Sequence, residues 1–182
     1  MYFLSKRKKN KGFTLIELLV VISIISLLSS IVFASLNSAR SKARDSKRRS
    51  ELRQILTSME LYYDKYGNYN VFDPNANRYT GYSVGEGWFS LGGQSGNYVV
   101  AIGQGLVDTG FLSSNPHDPG GQDTGTVAGK TGYMLYPCQN GFYAYAGLEN
   151  PTAADTTLYN AGITCVGTSL SSYGMNYAVG HN

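Results

Sequence analysis

The sequence predicts an α+β protein, in which a long N-terminal helix spans a membrane with its first half and packs with its second against a small antiparallel β-sheet. Three observations carry this expectation. From Phe13 to Leu36 the chain is an apolar run in which Glu17 is the only charged side chain. From Leu52 to Tyr66 apolar residues recur at spacings of three and four, the signature of one helical face. After Gly67 the composition changes: all 5 Pro and most of the 22 Gly and 15 Tyr follow it, which suits turns and strands. The chain therefore divides into a basic leader (1–12), a membrane-spanning segment (13–36), an amphipathic helical segment (37–67) and a β-rich globular domain (68–182).

Charge follows the same division. Residues 1–53 hold 12 Lys and Arg against Glu17, Asp45 and Glu51, whereas residues 54–182 hold 3 against 9 acids, so the overall +3 hides two opposite ends. Without the five positive charges of the leader the chain is near −2. A basic isoelectric point therefore does not imply a general affinity for nucleic acid.

The apolar run of 24 residues makes a helix of about 36 Å, enough to cross a hydrocarbon core of roughly 30 Å. Lys6, Arg7, Lys8, Lys9 and Lys11 precede it without an acid, which keeps this end cytoplasmic and sends the remainder across. An ionised carboxylate inside such a helix costs about 3 kcal/mol even on insertion scales, so Glu17 needs a partner. A secretory cleavage site could be sought after the run, at Ala34, Ser35 and Ala39. The other cut lies before it, between Gly12 and Phe13, and leaves the helix attached to a new amine on Phe13. A single-pass anchor that tolerates an acid near its cytoplasmic end is the competing reading.

The basic leader followed by Gly12-Phe13-Thr14-Leu15-Ile16-Glu17 resembles the class III signal of type IV prepilins and pseudopilins. The resemblance implies that a prepilin peptidase cuts after Gly12 and methylates the amine of Phe13, and that Glu17, fifth in the mature chain, pairs with that amine on a neighbouring subunit. Each charge offsets the desolvation cost of the other, and only one axial stagger brings them together. It also implies the pilin fold, self-association with other pilins in a filament, an assembly-platform membrane protein, and a single-pass precursor in the cytoplasmic membrane that becomes an extracellular or periplasmic filament. Two positions depart from the pattern: Asn70 follows Tyr69 where the family has Tyr-Pro, and Ala34 stands where pilins often carry proline.

From Asn37 to Arg53 charges alternate with Ala and Ser without Pro or Gly, which continues the helix. One helix is expected from Phe13 to Tyr66, roughly 80 Å long, with Gly67 as its stop. Its face of Leu52, Ile55, Leu56, Met59 and Tyr63 is expected under the sheet. The basic cluster from Arg40 to Arg53 admits three readings: a solvated face, a contact with Asp64 or Glu60 of another subunit, or a DNA-binding stripe serving uptake.

In the β domain, Tyr133 to Gln139, Asn140-Gly141 and Phe142 to Ala146 read as a hairpin, with Pro137 placing the first strand at an edge. Short strands are expected near Ile163–Val166 and Asn176–Val179. The loop between helix and hairpin is too long to lack structure, so a short element is expected within Asn97–Ile102 and Gly105–Val107. Gly110 to Pro119 is similar to the leucine–proline–aspartate–proline passage of major pseudopilins.

Cys138 and Cys165 lie in the exported half and read as a disulfide, which stabilises by about 3 kcal/mol in the loop-entropy model. Zinc is disfavoured, because the only histidines are His117 and His181 and there is no CxxC spacing. Asp118, Asp123 and nearby carbonyls could hold calcium, but no EF-hand spacing is present, and no cofactor is expected. No phosphate loop, nucleophile elbow or paired histidines point to an enzyme. Trp88, Phe89 and exposed tyrosines could stack on carbohydrate or simply pack the loop. The expected function is a structural subunit of a type IV pilus or similar filament serving adhesion, motility, DNA uptake or secretion. A monomeric membrane-tethered adhesin or carbohydrate-binding protein is the alternative.

Overall fold

A computed structural model describes residues 12–75, 77–80, 87–89, 101–120, 132–138, 141–167 and 169–181. The leader residues 1–11, Asn97 to Val100, Asp123 and Asn140 lie outside these. Two compact units divide the chain between Arg40 and Ser41.

Helix α1 runs from Leu15 to Tyr66. In the first unit its apolar side chains from Leu15 to Leu36 are exposed, and the helix is long and apolar enough to cross a membrane. In the second unit Leu52, Ile55, Met59 and Tyr62 are buried at the expected spacing. Gly67 ends the helix with φ 71°, a left-handed conformation that glycine adopts without a Cβ clash, and its N–H donates to the Tyr63 carbonyl at 2.7 Å. Tyr63, expected beneath the sheet, is 44% exposed and stacks on Tyr69 at 4.6 Å.

Strands β1 (Phe72–Asp73) and β2 (Arg78–Tyr79) form a small antiparallel pair. The main sheet is antiparallel in the order β3–β4–β5–β6, with β3 at Gly87–Trp88, β4 at Met134–Pro137, β5 at Phe142–Ala146 and β6 at Tyr177–His181. The expected hairpin is β4–β5, and the strand expected near Asn176–Val179 is β6. Strand β4 is not an edge strand, contrary to the inference from Pro137. Its ladder with β3 covers only Met134 and Leu135, so the missing N–H of Pro137 falls beyond the reach of β3.

Alternation along β5 fills two cores. Phe142, Ala144 and Ala146 join Leu52, Ile55, Met59 and Leu135 on one face, whereas Tyr143 and Tyr145 join Trp88, Met134, Tyr159 and Met175 on the other. A sheet buried on both faces needs a second cover, and helix α3 (Ala153–Val166) supplies it. The strand expected at Ile163–Val166 is thus the last turn of a helix. Its start is fixed by a capping box, in which Thr152 Oγ1 accepts from the Asp155 N–H and the Asp155 carboxylate accepts from the Thr152 N–H. Its end is Gly167 at φ 74°.

The element expected before the hairpin is helix α2 (Ile102–Asp108). Two glycines in seven residues lower its intrinsic stability, but packing requires them. A Cβ on Gly103 would lie 2.7 Å from the Phe89 ring, and one on Gly105 would lie 2.6 Å from Thr80 Cγ2.

Candidate functional site

Chemistry-bearing residues gather in two places, one in each unit. At the start of α1, Thr14 Oγ1 donates to Glu17 Oε2 at 2.6 Å, the Thr14 N–H donates to the same oxygen at 2.8 Å, and the Glu17 N–H returns a bond to Thr14 Oγ1 at 3.3 Å. This is a reciprocal capping box, and a carboxylate in the first turn also suits the helix dipole. Thr-x-x-Glu was readable in the sequence, where Glu17 registered only as a charge without a partner. Phe13, with Gly12 still attached, has no free amine; its side chain is 85% exposed. The lone carboxylate is therefore held in place at the head of an exposed apolar helix.

The second place is a seam of ion pairs between α1 and the segments carrying Asp118, Glu149 and Asp155. Arg48, 2% exposed, donates from Nε to Asp118 Oδ2 at 2.7 Å and from Nη2 to Asp118 Oδ1 at 2.9 Å. Its Nη1 reaches Asp45 at 2.9 Å and Glu149 at 3.0 Å. Arg44 forks onto both oxygens of Glu149 at 2.6 and 2.7 Å, and Arg49 meets Asp155 at 2.8 Å. Such forked guanidinium pairs fix orientation as well as adding energy. Tyr133 donates its hydroxyl to Glu51 beside the seam.

The electrostatics follow from these contacts. Hydrogen bonds from Arg44 hold the Glu149 carboxyl down to about 2, against the opposing effect of burial and with help from Arg48. Burial pushes Asp45 up, but the N–H groups of Glu149 and Asn150 and the Arg48 guanidinium outweigh it, leaving the group below the usual aspartate range. Burial likewise opposes and fails to overcome the pull of Arg49 and Thr152 on Asp155. Arg48 is raised, because its acid partners outweigh a large desolvation effect. Burial and then the Glu51 bond push Tyr133 upward.

The seam answers several sequence expectations. Arg44, Arg48 and Arg49, three of the seven basic residues from Arg40 to Arg53, bind acids of their own chain, so these three form neither a solvated face nor a stripe for DNA. Glu60, offered as an intersubunit partner, faces His181 Nε2 at 2.5 Å and Tyr69. Asp118, weighed as a calcium ligand, gives its oxygens to Arg48 and to the Gly120 N–H. Among the described residues no group of three or more His, Cys, Asp and Glu is placed to hold a metal. Sequence reasoning missed the pairing of Arg48 with Asp118; its trace was the opposite net charge of the two parts of the chain.

Cys138 and Cys165 form the expected disulfide, with Cα atoms 5.9 Å apart, joining the end of β4 to α3. Trp88 and Phe89 are 6% and 0% exposed, so neither is a stacking platform for carbohydrate.

A family model described as the prokaryotic N-terminal methylation motif matches residues 7–33. The type IV wide pilus major component PilA4 of Thermus thermophilus is 30% identical over 130 residues, covering 58% of this chain and 94% of that protein. The type IV major pilin protein PilA of Myxococcus xanthus is 29% identical over 64 residues, covering 35% of this chain and 29% of that protein. No solved structure matches.

Proposed function

The chain belongs to the type IV pilin family, and on that premise we propose that it is cut between Gly12 and Phe13 by a prepilin peptidase, methylated on Phe13 and assembled through Glu17. The family is structural rather than enzymatic, and its members are pilus subunits anchored in a membrane before assembly. The proposed parts are a leader (1–12), an assembly segment (13–36), a stem (37–67) and an exposed domain (68–182). The precursor keeps its basic end in the cytoplasm and its domain outside, and an assembly-platform protein moves subunits from membrane to filament.

The observation that carries this reading is the single carboxylate of Glu17 heading an exposed apolar helix. Thr14 supplies two donors to one oxygen, and the other oxygen is proposed to meet the ammonium that cleavage creates on the next subunit. Apolar helices bundled side by side replace lipid contacts with one another, so desolvation favours pairing of the two charges. Intact mass and N-terminal sequencing of the membrane form test the processing step. Methylated Phe13 at the terminus is expected, and a chain that keeps its leader in cells containing the peptidase would falsify it.

A further inference from the structure

Where α1 ends, the chain turns back through Asn68 and Asn70 and leaves a cavity of about 260 Å³ lined by Tyr62, Tyr66, Phe72, Asn68, Asn70 and Thr109. We infer that this cavity is a binding site for one uncharged pyranose sugar ring. The inference goes beyond the pilus reading and rests on the second unit alone.

Two properties select that ligand class. One wall is aromatic: the Tyr66 ring, 45% exposed, lies 4.5 Å from the buried Tyr62 ring at a tilt of 39°, so Tyr66 supplies the accessible aromatic surface. Tyrosine offers an apolar face with a polar tip, which suits a ring whose C–H face is apolar and whose edge carries hydroxyls. The rim is polar and uncharged. The Asn68 amide holds the turn, donating to the Tyr66 carbonyl at 3.1 Å and accepting from the Asn70 N–H at 2.9 Å. The Asn70 side-chain amide makes no hydrogen bond among the described residues, which leaves an acceptor and two donors for a pair of hydroxyls. Thr109 donates its hydroxyl proton to the Gly105 carbonyl at 2.6 Å, so its oxygen is turned to accept.

Size and charge narrow the class further. Pockets for drug-sized molecules run from about 300 Å³ upward, and this one falls just below, so it takes one ring. None of the lining side chains is ionisable at neutral pH, and the neighbouring Lys65 ammonium already sits over the Tyr66 and Phe111 rings at 5.1 and 5.5 Å. An anionic sugar finds no counterion there. The site is also preformed. Tyr62 Oη donates to the Asn70 carbonyl at 3.2 Å and accepts from the Phe72 N–H at 3.0 Å, tying the helix to the far wall, and preorganisation lowers the cost of binding.

The test uses the full chain in a sugar-free zwitterionic detergent. It is titrated with methyl β-glucoside, methyl β-galactoside and N-acetylglucosamine, with N-acetylneuraminic acid as the anionic comparison. Saturation-transfer NMR should detect at least one neutral sugar, and Asn70→Ala and Tyr66→Ala should each weaken it about tenfold, with thermal unfolding confirming that the variants fold. If Tyr66→Ala unfolds the domain, Asn70→Ala alone decides. Binding of none of the neutral sugars, binding of the anionic sugar only, or binding unchanged in Asn70→Ala would overturn the inference. Loss of filaments in Asn70→Ala would also overturn it, assigning the cavity to a second copy of the chain. Wild-type protein missing from sheared filaments would sink the pilus reading and leave the sugar titration standing.

Discussion

Arg48 and Asp118 form a two-pronged ion pair inside the protein, 70 residues apart in sequence, with both N–O distances below 3 Å. Removing Asp118 leaves Arg48 paired with Asp45 and Glu149 through Nη1, but strands its buried Nε and Nη2 donors, at a cost of about 1–3 kcal/mol. Asp118→Ala should lower the unfolding free energy by about that amount in denaturant titrations of the detergent-solubilised chain. Adding Arg48→Met should restore part of the loss, because the two changes remove one interaction. A fully additive double variant would show that the pair is not coupled.

Acid should weaken the seam. The folded value of Glu149, about 2, lies below the ordinary glutamate value of 4.5, and Asp45 and Asp155 are shifted in the same direction. Depressed carboxylates contribute stability above their unfolded values and lose it as pH falls toward the folded ones. The melting temperature should therefore hold from pH 7 to about 5 and decline from there toward pH 2, and Glu149→Gln should flatten that decline. Equal slopes in the two proteins would exclude Glu149 as the cause.

Glu17→Ala should leave membrane insertion intact, since it removes the one charge from an apolar helix. Sheared filament fractions should nevertheless lack the variant, while membrane fractions retain it. Normal polymer from Glu17→Ala would end the account of Glu17 as an assembly residue.

Gly162 tests the packing of α3 on the sheet. Alanine there gains about 1 kcal/mol of helix propensity, but its Cβ would stand 2.7 Å from the buried Tyr145 hydroxyl and 3.1 Å from Tyr143 Cδ1. Overpacking costs about 1–3 kcal/mol, so Gly162→Ala should be net destabilising in thermal unfolding. A stabilised variant would mean that the two tyrosines move aside freely.

Periodic features were readable before the structure, and non-periodic ones were not. The apolar spacing from Leu52 to Tyr62, the glycine stop at Gly67 and the alternation from Phe142 to Ala146 are local patterns, and local patterns survive in a sequence. Helix α3 escaped because Ile163, Thr164 and Val166 carry β-branched side chains, although Thr152 and Asp155 spelled out its cap. The ion-pair seam escaped for another reason: partners separated by 70 to 106 residues leave no periodicity. At the start of α1 the roles proposed for Gly12, Phe13 and Glu17 rest on resemblance, and the Thr14 bond was overlooked although it followed a known four-residue pattern. Burial of Trp88 and Phe89 could not be told from aromatic content.

The seam also bears on the order of events in biogenesis. A chain made from its N-terminus presents Arg44, Arg48 and Arg49 long before Asp118, Glu149 and Asp155 leave the ribosome. Throughout that interval three cations just past the apolar segment have only water and Asp45 for company. The lower half of α1 thus reaches its final surroundings only when the last third of the chain arrives, and a protein cut short before Glu149 would display Arg44 and Arg49 to whatever anionic surface lies nearest.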